Sequence, residues 1–151
     1  MKRVFSKDAP YQRTRVRFDE TLKDITNLLS KYGASDIRWN DQRQRGIVEV
    51  GFRVTVREAG GKSYQPPVWI SVPLVWKKTS DGSEKINWDQ SGRVLYWYLK
   101  SQLEMTLMGR SFGEVFLAFV RDHLPANIVQ QLEKTAYRRL RETNILALNG
   151  E

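Results

Sequence analysis

Ten residues near the middle of the chain do most to restrict its fold. In Val48-Glu49-Val50-Gly51-Phe52-Arg53-Val54-Thr55-Val56-Arg57 an apolar side chain falls at every second position. Successive side chains of a strand leave on opposite faces, so this run predicts an antiparallel strand with one buried face. Val48, Val50, Phe52, Val54 and Val56 form that face, and Glu49, Gly51, Arg53, Thr55 and Arg57 the other. A sheet that buries one side needs a second layer to cover it.

The flanking segments supply neighbours. Ile37 and Trp39 mark a shorter strand before it, joined through a polar connection from Asn40 to Arg45. Ala59-Gly60-Gly61-Lys62 is a hairpin turn. After Pro66-Pro67, Val68, Ile70, Val72, Leu74 and Trp76 alternate with Trp69, Ser71, Pro73 and Val75. Proline cannot donate to a ladder, so this strand is expected to be an edge strand or a short bent one. Lys77 to Asp89 is expected to be a polar loop that turns at Asp81-Gly82.

Helices supply the covering layer. Leu22, Ile25, Leu29 and Tyr32 recur at helical spacing, with Asp19 as the expected N-cap and Gly33 as the stop. Leu95, Leu99, Leu103 and Leu107 form an i, i+4 stripe that ends at Gly109. Ser111-Phe112-Gly113-Glu114 is a capping box. Pro125 opens a last helix with Ile128, Leu132, Ala136 and Leu140 spaced by four. Strands followed by helices predict an α+β fold: a three- to four-stranded antiparallel sheet, helices packed on one face, and a helical C-terminal half. Residues 1–12 are expected to form a basic arm and residues 13–151 a single domain.

Charge is the main functional clue. The net charge is +8, and residues 1–18 hold six cations against Asp8 alone, a local +5. Clustered charge makes a local field that favours a polyanionic partner. In Arg13-Thr14-Arg15-Val16-Arg17-Phe18 the arginines alternate with less polar residues. As a strand, this run would present an arginine stripe on one side and anchor Val16 and Phe18 on the other. Beside the long strand it would add Arg13, Arg15 and Arg17 to Arg53 and Arg57, with Trp69 as a stacking platform for bases. Core burial of Trp39 and Trp69 is the competing expectation. On the last helix Lys134, Arg138 and Arg141 share a second basic face, which either binds phosphates or simply solvates the helix.

Catalytic constellations are sparse. The chain has no cysteine, which excludes disulfides, thiolate catalysis and Cys-ligated zinc. His123 is the single histidine, and no nucleophile-elbow pattern surrounds a serine. Gly60-Gly61-Lys62-Ser63 lacks the earlier glycine of a phosphate-binding loop. Asp36, Asp41 and Glu49 fall near the strands, and a metal-dependent nuclease built on Glu49 would need further convergent acids. The expected role of Glu49 is a solvated strand residue paired with a cross-strand cation. Tyr96-Trp97-Tyr98 cannot place three rings on one helix face, and Trp97 is the candidate for an interface with another copy.

Leu29-Ser30-Lys31-Tyr32-Gly33-Ala34, Ile47 to Phe52, Ile70-Ser71-Val72-Pro73-Leu74, Arg93 to Lys100 with Leu103-Glu104, and Gly113 to Leu117 together resemble small uncharacterised proteins encoded in bacteriophage and prophage-like regions. The resemblance spans roughly residues 20–120, which leaves out the arginine-rich start. It implies a mobile-element setting, where replication, recombination and repair of DNA are frequent tasks, and it assigns no functional residue.

The expectation is therefore a cytoplasmic, non-enzymatic nucleic-acid-binding protein. It would prefer single-stranded DNA or RNA and use no cofactor and no membrane. The alternative is a self-associating assembly protein or host-directed inhibitor.

Overall fold

The computed structural model describes residues 2–58 and 60–148, apart from the side chains of Asp41 and of residues 139–148. In chain order the elements are β1 (Val4–Phe5), α1 (Phe18–Lys31), β2 (Ser35–Gln42), β3 (Ile47–Arg53), β4 (Val56–Arg57), β5 (Ser63–Tyr64), β6 (Pro67–Pro73), β7 (Val75–Lys78), β8 (Glu84–Ile86), α2 (Trp88–Leu107), α3 (Phe112–Val115), α4 (Leu117–Val120) and α5 (Ala126–Leu148). The fold is α+β with a helical C-terminal half.

The central sheet has the order β2-β3-β6, and every pair in it is antiparallel. Val48, Val50 and Phe52 on β3 and Val68, Ile70 and Val72 on β6 are buried on one side. Helices cover that side. Ile25 and Leu29 come from α1, Leu95, Leu99 and Leu103 from α2, and Phe116 and Val120 from around α4, all fully buried. Phe52 meets Phe116 edge to face, with ring centroids 5.7 Å apart. Burial of each such side chain contributes about 1.5–3 kcal/mol, and sheet and helices share the core between them. Leu107, the last member of the α2 stripe, is 73% exposed because the helix outlasts the core beneath it.

The long alternating run keeps its inward face but not its continuity. Val54 and Val56 are buried as expected, yet pairing breaks between Arg53 and Val56. The Val54 N–H donates to the Pro66 carbonyl at 3.3 Å, and β4 pairs separately with β5. A similar break falls at Leu74. Its N–H donates to the Gly46 carbonyl at 2.8 Å, and alternation reverses, so that Val75 is buried and Trp76 half-buried. The residue before it, Pro73, can donate no ladder bond, and the chain leaves the central sheet there. As expected, β6 is an edge strand.

A second sheet, β1-β7-β8, takes in part of the expected arm, the end of the expected strand and part of the expected loop. Here β1 runs parallel to β7, with Val4 opposite Val75 and Phe5 opposite Trp76, and β8 returns antiparallel after the Asp81-Gly82 turn. The beginning of the chain is thus paired rather than hanging loose.

The first turn of α2 ties these parts together. The Asn87 side chain caps it by accepting from the Gln90 N–H. Ser91 Oγ accepts the Val75 N–H at 2.9 Å and donates to the Asn87 carbonyl at 2.8 Å. Buried Gln90 donates its amide to the carbonyls of Ser6, Ala9 and Pro10, and its oxygen accepts from Ser6 Oγ.

Residues 13–18 form no strand. The Thr14 N–H bonds to the Tyr11 carbonyl, the chain then runs without ladder pairing, and α1 starts at Phe18. Two facts exclude the expected pairing. β3 already has β2 and β6 on its two sides. Phe18 belongs to the helix, its N–H held by Asp89 Oδ1 at 2.8 Å. Asp89 therefore takes over the capping expected of Asp19, and the N-cap residue Arg17 makes no side-chain cap bond. The alternation survives as exposure alone: Thr14, Val16 and Phe18 are half-buried, while Arg13, Arg15 and Arg17 are exposed. No helix among the described residues is long and apolar enough to cross a membrane.

Candidate nucleic-acid interface

The sequence-predicted residues are spread over several surfaces. Arg13, Arg15 and Arg17 lie exposed before α1, and Arg17 pairs with Asp19 at 3.3 Å. Arg53 sits on the outer face of the central sheet, where it pairs with Asp36 at 3.4 Å and donates to the Gln65 carbonyl at 2.8 Å. Trp69 shares that face and is 44% exposed, so it is not a core ring. Arg57 belongs to the separate β4–β5 hairpin and lines a different cavity, together with Arg110. The expected five-arginine sheet face is therefore not assembled. Lys134 and Arg138 are exposed on α5, and the Arg141 side chain lies outside the described residues. Trp97 is exposed on α2, with Tyr11 stacked on it at 6.1 Å and Lys100 over its ring at 4.9 Å.

Asp36 and Glu49 have separate partners, and the Asp41 side chain lies outside the described residues. Glu49 accepts from the side-chain amides of Asn40 at 2.8 Å and Gln42 at 2.7 Å, rather than from the expected cross-strand cation. Asp36 pairs with Arg38 and Arg53. Among the described residues no three metal-ligating side chains come together. His123 is exposed at the end of a 3-10 turn, Arg121–His123.

A basic cleft does form, joining cations of the charged first residues to others far along the chain. β2 ends at Gln42, and the chain makes a 3-10 turn over Arg43–Arg45. Gly46 closes that turn with φ 65°, a left-handed conformation that glycine adopts without steric cost. The bond from the Leu74 N–H to the Gly46 carbonyl then staples this tip to the joint between β6 and β7. Parallel pairing of β1 with β7 brings Lys2 and Arg3 to the same joint. The result is a cavity of about 440 Å³ lined by Lys2, Arg3, Arg43, Arg45 and Trp76 together with uncharged residues. Among the described residues no carboxylate lines it.

Trp76 organises the cations. The Arg3 guanidinium lies 3.8 Å above its ring centroid and pairs with Glu84 on β8. Stacking of this kind holds a guanidinium in one orientation while leaving N–H groups for an anion. Arg45 donates to Gln42 Oε1 at 2.8 Å, and Arg43 lies 5.0 Å from the Trp88 ring. Trp76 also lines a cavity of about 320 Å³ together with Lys7, Lys77 and Lys78, and no carboxylate is among its described lining residues. Seven cations thus flank one tryptophan. They come from residues 2–7, 43–45 and 77–78, which no local window joins. Outside the charged first residues the sequence signals are short: Arg43-Gln44-Arg45-Gly46 and Lys77-Lys78.

No protein-family model, no curated protein and no solved structure matches this chain.

Proposed function

We propose that this chain binds nucleic acid without acting on it, and that the phosphates lie in the cleft around Trp76. The observation that carries this reading is the grouping of Lys2, Arg3, Arg43 and Arg45 in one cavity, with no carboxylate among its described lining residues. Lys7, Lys77 and Lys78 extend the positive surface past Trp76. Arg13, Arg15 and Arg17, exposed and close in sequence to Lys7, add to the field that draws a polyanion in. A single strand is preferred, because rings accompany the charge and no helix presents itself for a major groove. The resemblance to phage-encoded proteins supports a place in mobile-element DNA metabolism.

Anisotropy titration of labelled single strands at two salt concentrations tests the reading. Affinity should fall steeply with salt, since each neutralised phosphate contributes about −0.7 to the logarithmic slope. Arg43→Ala with Arg45→Ala should weaken binding about tenfold at low salt and flatten that slope by about 1–2. Arg53→Ala with Arg57→Ala should leave both nearly unchanged. Absence of binding to any nucleic acid at low salt, or indifference to the Arg43 and Arg45 changes, overturns the proposal.

A second reading rests on the outer face of α2, where Trp97 and Tyr98 are each about two-fifths exposed. Aromatic residues of this kind anchor protein interfaces. Self-association through this face predicts a light-scattering mass above the monomer that Trp97→Ala brings down.

A further inference from the structure

Beside the basic cleft lies a second cavity, of about 330 Å³, lined by Phe18, Leu22, Trp39, Trp88, Asn40 and Arg43 among others. Its walls have separate origins. Trp39 lies on the edge strand β2 opposite Val50, so it faces the helices. Phe18 and Leu22 lie one turn apart on α1, and Trp88 is the first residue of α2. The Phe18 and Trp88 rings are 5.2 Å apart and inclined at 48°, which makes a corner rather than a closed stack. The space between the two helix starts and the edge strand stays open.

Arg43 lines both cavities. Its guanidinium carbon is 5.0 Å from the Trp88 ring, so one cation borders the aromatic walls and the phosphate-binding cleft together. A polynucleotide single strand alternates anionic phosphates with flat rings that have apolar faces and polar edges. A cation-lined cleft sharing an arginine with a ring-lined cavity matches that alternation. The cavity is near the small end of the range for ligand sites, the right size for one planar ring system.

We propose that this cavity takes one unstacked base of a single strand, with the adjoining phosphate on Arg43. The inference rests on the nucleic-acid reading above and adds the base site to it. A base in a duplex is stacked and paired and does not reach the pocket, so the site selects single strands. Stacking on aromatic side chains tolerates any base, so sequence preference is weak.

The test compares three probes on the full chain at one low salt concentration: oligothymidylate, an abasic phosphodiester strand of equal length, and a duplex. Oligothymidylate should bind about ten- to a hundredfold tighter than the abasic strand, and quench tryptophan fluorescence where the abasic strand does not. Leu22→Trp, which fills the cavity, should lower oligothymidylate affinity to the abasic level and leave abasic binding unchanged. Trp39→Leu, which removes one ring wall, provides the same comparison if the filled variant does not fold. Equal affinity for the oligothymidylate and abasic strands, a duplex bound as tightly as oligothymidylate, or a base preference that survives in a folded variant overturns the base pocket while phosphate binding stands. Failure of all three probes to bind overturns the nucleic-acid reading beneath it.

Discussion

The indole ring of Trp69 lies directly against the backbone of Gly51. The two residues are register partners on β6 and β3, and a Cβ added at Gly51 would come within 2.6 Å of Trp69 Cζ3. The ring fills the place of a side chain on the outer sheet face, and Gly51 is buried beneath it.

This contact gives the first prediction. Gly51→Ala should displace Trp69 and cost about 1–3 kcal/mol in urea unfolding, as other overpacked sites do. Trp69→Ala should remove most of that penalty in the double variant. A coupling energy near zero in the cycle would show that the ring and the glycine are independent.

Gln90 supplies the second. One buried amide holds three carbonyls of the first ten residues, so Gln90→Ala leaves all three without that donor. The expected loss is about 1–3 kcal/mol. Trypsin cleavage after Lys7 should accelerate well beyond what the global destabilisation explains. Cleavage that merely follows global stability would mean that β1 pairing alone secures the segment.

Asp81 supplies the third, a local pH dependence. Its carboxylate accepts from Thr79 Oγ1, from the Ser83 N–H at 3.0 Å and from Ser83 Oγ at 2.7 Å. These bonds, the Thr79 bond foremost, hold its pKa down to about 2 from the ordinary 3.8. A depressed carboxylate pKa stabilises the fold above the unfolded value, and that contribution is lost as pH falls from about 4 through about 2. The Gly82 and Ser83 amide resonances should shift with a midpoint near 2, and Asp81→Asn should abolish that transition. The group is fully exposed, so the change should stay within the β7–β8 turn.

What was legible in the sequence was whatever depended on local period. Ile25 and Leu29, Leu95 to Leu103, and Val48 to Val56 face the core as their spacing requires, because burial of one face constrains every second or every third to fourth residue. The Ser111 cap forms as its motif predicts, with its Oγ accepting the Glu114 N–H at 3.2 Å. Arg13 to Phe18 shows where period misleads. Alternating exposure is present, but exposure alone does not make a strand, and the helix that claims Phe18 is capped by Asp89 from a distant part of the chain.

The candidate site was legible only as a quantity of charge. A two-residue strand such as β1 has no period to detect, and its parallel partner lies some seventy residues away. Lys77 and Lys78 fall in a stretch that reads as a polar loop, and Arg43 and Arg45 in one that reads as a polar connection. The layers, the core faces and the excess of cations follow from side-chain periodicity and composition. Which cations share a surface follows from tertiary contacts alone. That depends on long-range pairings, Val4 with Val75 and the Leu74 N–H with the Gly46 carbonyl, whose backbone hydrogen bonds carry no side-chain signature.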